Sequence, residues 1–160
     1  MLMVLFQLGA ERYAVDSHCV VEIVPMVDFK PVPHAPDYVA GLFNYRETVV
    51  PVIDLCHLTQ KRPCLKHLSS RIILVDYGRL TGMAENEKRI LGLLAERVTE
   101  VREKPATSVS PPLQTVGAPY LGEIFFFNGE LNQCLEPAAL LPENLRDMLF
   151  AESGRQSKPA

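Results

Sequence analysis

Gly41-Leu-Phe-Asn-Tyr-Arg-Glu-Thr-Val-Val-Pro-Val-Ile-Asp-Leu55 is the stretch that decides how this 160-residue chain is read. Two runs rich in β-branched and aromatic residues flank Asn44-Tyr-Arg-Glu47, so the segment reads as a hairpin turning over those four positions. Pro51 has no N–H to give to a ladder, which places the second strand at an edge or a bulge. Arg46 therefore stands at a strand-to-strand turn between apolar runs, and upstream Glu22 stands beside Val20 and Ile23. Either charge is an ordinary exposed one, or the carboxylate holds the planar guanidinium and presents its donors in fixed geometry at an apolar surface.

Working outward, Met3 to Leu8 reads as a strand apolar on both faces and pairs as a hairpin with Arg12 to Val15 through Gly9-Ala-Glu11. Asp16 or Ser17 can cap a short helix from His18, with Val20, Ile23 and Val24 at helical spacing and Pro25 as its stop. Pro25, Pro31, Pro33 and Pro36 make the next segment an extended edge. Beyond the central hairpin, His57 to Ser70 reads as a polar linker and Arg71 to Tyr77 as a strand. Gly78 to Lys88 is a loop tip, and Ile90 to Ala95 is the strand's partner, its apolar face continued by Val98 and Val101. Lys104 to Pro119 is a surface loop. Leu121 to Phe127 and Leu131 to Leu135 form a hairpin around Asn128-Gly129. Pro142 opens a C-terminal helix carrying Leu145, Met148, Leu149 and Phe150. The chain divides into one domain over residues 1–152 and a disordered tail over 153–160. About ten strands without β-α-β alternation predict an all-β fold with short helices, built as barrels.

Composition narrows the function. Sixteen basic against nineteen acidic side chains leave a net charge of −3, without the basic excess of a general nucleic-acid binder. No apolar run approaches the length of a membrane span, and the apolar start lacks the basic flank of a secretory signal, so a cytoplasmic protein is expected. Thirteen prolines favour short strands and turns over a long-helix bundle. No phosphate-cradling glycine loop, nucleophile elbow, His-Glu-x-x-His or Cys-x-x-Cys is present, and no residue set suggests a reaction or a cofactor.

Two clusters are the alternatives to a pure interaction module. Cys56, His57, Cys64 and His67 offer two thiols and two imidazoles, which in a small ligand- or metal-binding barrel would hold zinc. Adjacent Cys56 and His57 are awkward ligands for one ion, and the plainer reading is a buried Cys56, solvated histidines and free thiols throughout. Between Leu55 and Val75, Lys61, Arg62, Lys66 and Arg71 read as a solvated loop, with a patch steering an acidic partner as the functional alternative.

The motif from Gly41 to Leu55 closely resembles that of the CheW family of chemosensory coupling proteins: Gly-hydrophobic-x-Asn-hydrophobic-Arg-Gly, hydrophobics, Pro, hydrophobics, Asp-Leu. Leu5 to Val15, Val20 to Ile23, Gly92 to Val101 and Tyr120 to Leu141 are similar to further family segments in the same order. The resemblance implies two SH3-like five-stranded β-barrels packed together and no catalysis. It implies two partners, the cytoplasmic signalling tip of a chemoreceptor and the regulatory domain of a CheA-type histidine kinase, with the chain associated with membrane receptor arrays but not inserted in the membrane. Residue by residue, Arg46 matches the motif arginine, Glu22 its acidic partner and Gly41 the motif glycine. Val20, Ile23, Val98 and Val101 match positions lining the receptor groove between the barrels. Glu47 departs from the family's glycine, which implies either a strained turn or a rebuilt one. The runs Phe43 to Arg46 and Leu141 to Glu152 are similar to those of Wsp-type surface-sensing adaptors.

Overall fold

The computed structural model describes residues 1–66, 68–82, 89–105 and 118–157, the last six as backbone only. Strands β1 (Leu2–Leu8), β2 (Glu11–Asp16), β3 (Val20–Pro25), β4 (Val39–Tyr45) and β5 (Thr48–Asp54) lead into helix α1 (Leu55–Gln60). β6 (Arg71–Asp76), α2 (Tyr77–Leu80), β7 (Ile90–Glu103), β8 (Leu121–Phe127), β9 (Glu130–Leu135) and α3 (Glu143–Ser157) complete the order.

β7 organises the molecule because its two halves belong to different sheets. From Ile90 to Ala95 it pairs antiparallel with β6, and Gly92 to Leu94 also pair parallel with β5. From Glu96 onward it pairs with β1 instead. Arg97, at a positive φ of 46°, sits where the β1 register slips between Gln7↔Glu96 and Leu5↔Glu100. One lobe is therefore β3-β6-β7-β5-β4 and the other β7-β1-β2-β9-β8. Each lobe has the expected five strands, but the sheet does not close into a hydrogen-bonded barrel: β3 and β4 end one lobe, β8 the other.

Two cores follow from strand alternation. Met3 and Leu5 point from β1 into a small cluster with Ala14, Phe125 and Cys134. Val4, Phe6 and Leu8 point the other way, into the main core, where they join Val52, Ile73 and Leu93. The two apolar faces of β1 are thus the joint between the lobes. Helix α3 seals the main core with Leu145, Leu149 and Phe150, whose ring stacks on buried Tyr77 at 5.4 Å.

Several local expectations change. Val20–Pro25 is a strand, and only Ser17–Cys19 turns, as a 3-10 helix capped by the Asp16 carboxylate accepting from His18 N. The β-branched run prefers the pleated conformation once β6 offers a ladder. The segment read as linker begins with α1, because Asp54 accepts from His57 N at 3.1 Å and so caps it. β5 is not the edge strand that Pro51 suggests: it pairs with β4 on one side and with β7 on the other, the β7 ladder beginning one residue after Pro51 at Val52↔Gly92. α3 runs to Ser157 and takes in residues 153–157 of the expected tail; 158–160, most of the loop tip (83–88) and 106–117 lie outside the described residues.

Candidate functional site

The central hairpin closes with Tyr45 opposite Thr48, leaving Arg46 and Glu47 as a two-residue turn. Both have positive φ, 46° and 66°, the combination a tight hairpin needs to match strand twist. The turn is therefore not rebuilt around Glu47. We expect Glu47→Gly to stabilise the fold by about 0.5–1 kcal/mol, because glycine adopts this conformation without the Cβ penalty. Thermal unfolding checks this, and a fall of several degrees would show that Glu47 makes a needed contact.

The turn places Arg46 against Glu22 on β3. Arg46 Nη2 lies 3.3 Å from Glu22 Oε1, and the Tyr45 hydroxyl donates to Glu22 Oε2. The guanidinium also stands 5.2 Å from the Tyr45 ring centroid. Hydrogen bonding to Glu22 pushes the Tyr45 phenol above its ordinary pKa, so the hydroxyl stays protonated as a donor. Arg46 remains 75% exposed, which leaves most of its donors open to a partner while one carboxylate and one ring restrict its orientation.

Beside this constellation lies a depression of about 260 Å³ lined by Val21, Tyr45, Arg46, Thr48, Asp76 and Ile90. Val21 lies on the exposed face of β3, where exposed and half-buried residues alternate, next to a register shift in the ladder with β6 between Val20 and Glu22. Sequence reasoning missed Val21, Tyr45, Thr48, Asp76 and Ile90, since they come from five different strands and only the folded sheet gathers them.

The other predicted site residues are not gathered here. Val20 is half-buried against the main core, whereas Ile23 is exposed on the outer face of β3. Val98 packs on the main core and Val101 is exposed opposite Val4, both past the Arg97 irregularity on β7. Gly41 is buried at φ 142°, and a Cβ there would lie 2.5 Å from the Lys30 carbonyl oxygen, so its part is to let the segment before β4 approach. The larger cavity between the lobes, about 630 Å³, is lined by Met3, Asp16, Cys19, Leu80, Cys134 and Pro137 among others, not by the four expected aliphatics. Asp76 borders both hollows and links them.

The basic segment is partly consumed by the fold. Arg62 binds Glu96 through both terminal nitrogens, at 3.3 and 3.2 Å, and Arg71 donates to the Leu68 and Ser70 carbonyls. Of the four candidate metal ligands, Cys56 and Cys64 come together with Asp54; His57 is not part of that group, and His67 lies outside the described residues. All four cysteines are free and buried. Among the described residues, no helix is long and apolar enough to cross a membrane.

Against known proteins, residues 2–144 match the CheW-like domain family. The chain is 33% identical over 127 residues to a chemotaxis protein CheW of Treponema pallidum, covering 74% of this chain and 69% of that one. It is 29% identical over 112 residues to a chemotaxis protein CheW of Rhizobium meliloti, covering 68% and 64%. The scaffolding protein TtCheW of Thermoanaerobacter tengcongensis shares the fold with a TM-score of 0.75 at 27% identity, over 92% of each chain. The chain accordingly belongs to the CheW-like domain family, and with it to the non-catalytic scaffolding adaptors of chemotaxis.

Proposed function

We propose that this chain couples the cytoplasmic signalling tip of a chemoreceptor to the regulatory domain of a CheA-type histidine kinase, working in the cytoplasm at receptor arrays. The observation that carries the reading is the Glu22–Tyr45–Arg46 constellation beside a depression in which Val21 and Ile90 stand among polar side chains. A receptor tip is helical. Its apolar side chains would meet Val21, Ile90 and the exposed face of Ile23, while one of its carboxylates would take the free donors of Arg46. Glu22 and the Tyr45 ring restrict the guanidinium beforehand, which lowers the ordering cost of binding. The kinase domain would engage a different face, so one molecule holds both partners and weak contacts add up across an array.

Titration with a receptor-tip fragment tests this. Arg46→Ala should weaken binding about tenfold, the effect of losing one well-placed charged contact of about 1.4 kcal/mol. Arg46→Lys should recover little of it, because an ammonium cannot reproduce the planar donor geometry. Circular dichroism should show the fold intact in both. Unchanged affinity in Arg46→Ala would remove this site from the receptor interface.

A further inference from the structure

We propose that Asp54, Cys56 and Cys64 form a binding site for one divalent ion of the zinc class, an inference independent of the adaptor reading. One carboxylate oxygen and two sulfurs from these residues lie within 4.8 Å of one another, and all three residues are buried. Two thiolates bound at about 2.3 Å to one tetrahedral ion stand about 3.8 Å apart, within the 4.8 Å that spans this cluster; the Cys64 thiol, which donates to the Leu94 carbonyl at 3.5 Å, would give up that bond on binding. The mixture of two soft sulfurs with one hard oxygen suits a borderline ion such as zinc and disfavours magnesium or calcium, which take oxygen sets.

The surroundings hold these ligands in place. Asp54 sits at the junction of β5 and α1, where its two oxygens accept from His57 N and Cys64 N at 3.1 and 3.0 Å. Those bonds orient the carboxylate as outer-shell bonds orient a metal ligand, and each oxygen keeps a second lone pair. The loop carrying Cys64 is tied down on its far side, where Leu65 N donates to Glu96 and Arg62 pairs with the same carboxylate. Cys56 is placed by the first turn of α1. Binding replaces two S–H protons by two metal–sulfur bonds, with no change of oxidation state and release of the protons to solvent.

Cobalt titration of the reduced, chelator-stripped full chain tests the proposal. We expect a thiolate-to-cobalt charge-transfer band saturating at one ion per chain, release of two protons, and a higher melting temperature with zinc. The doubly substituted Cys19→Ser/Cys134→Ser chain, which keeps only Cys56 and Cys64 as thiols, should give the same band and stoichiometry. Cys56→Ser and Cys64→Ser should each abolish it. The absence of the band from the folded chain would overturn the proposal, as would its loss on Cys19→Ser/Cys134→Ser substitution or its undiminished survival in either Cys56→Ser or Cys64→Ser. Because the decisive titration uses the unaltered chain, a serine variant that failed to fold would leave the test standing.

Discussion

Glu96→Gln is expected to destabilise this protein by about 2–4 kcal/mol, since it removes a buried carboxylate charge and leaves the donors that converge on it short of an acceptor. The Glu96 side chain is 2% exposed, on β7 just before the strand leaves one lobe for the other. It accepts from Gly9 N in the β1–β2 turn, from Leu65 N in the loop after α1, and from the two terminal nitrogens of Arg62. One carboxylate thus ties together three segments distant in sequence, and an amide has only one oxygen to replace its two acceptors. Burial alone would push this carboxyl up; the Arg62, Leu65 and Gly9 donors outweigh it and hold it at about 2. The unfolded chain, with an ordinary value of 4.5, therefore binds the proton more readily than the native one. The resulting stabilisation, about 3 kcal/mol, is fully present above pH 4.5 and is lost as pH falls toward 2. Urea unfolding followed from pH 7 to 2.5 checks both statements. A Glu96→Gln chain should start less stable and lose less on acidification. Equal stabilities at pH 7 would mean that the carboxylate contributes nothing net.

Gly41→Ala should be the most damaging of the single-methyl additions, at about 2–4 kcal/mol, combining a backbone that side chains avoid with a steric overlap. The added Cβ would lie 2.5 Å from Lys30 O and 2.8 Å from Phe29 Cβ. Relief is blocked because Lys30 exchanges two backbone hydrogen bonds of 2.8 Å with Leu42. Gly129→Ala separates the two contributions. Gly129 also has a positive φ, 77°, but nothing lies within 4 Å of its would-be Cβ, so only the conformational cost of about 1 kcal/mol remains. A melting temperature for Gly41→Ala no lower than that of Gly129→Ala would show that the bridge to Lys30 yields easily.

Much of this architecture was legible because strands and turns declare themselves locally. The Asn128-Gly129 hairpin and the double-faced β1 follow from residue type and period-two spacing, whereas the central turn, read over Asn44 to Glu47, is confined to Arg46 and Glu47 because Asn44 and Tyr45 continue β4. The spacing of Val20, Ile23 and Val24 suits a helix while their β-branched side chains suit a strand, and the ladder with β6, a long-range contact, decides for the strand. The pairing of Glu22 with Arg46 came from the motif resemblance, and the geometry bears it out at 3.3 Å. Asp54 capping α1, Cys56 meeting Cys64 and Arg62 reaching Glu96 carry no spacing signature, since each joins segments whose approach depends on the whole fold.

Sequence alone determined the strand-rich class, the family, the hairpin turns and the charge at position 46, all of which are encoded by neighbours within a few residues or by a motif. Only the tertiary structure decided that β7 serves both lobes, that Val21 stands beside Arg46, and that Glu96 is buried as an anion. The physical reason is range: turn and strand preferences act over a few residues. Register slips and charge pairs are settled by partners such as Glu22 and Arg46, or Arg62 and Glu96, which the chain brings together from 24 and 34 positions apart.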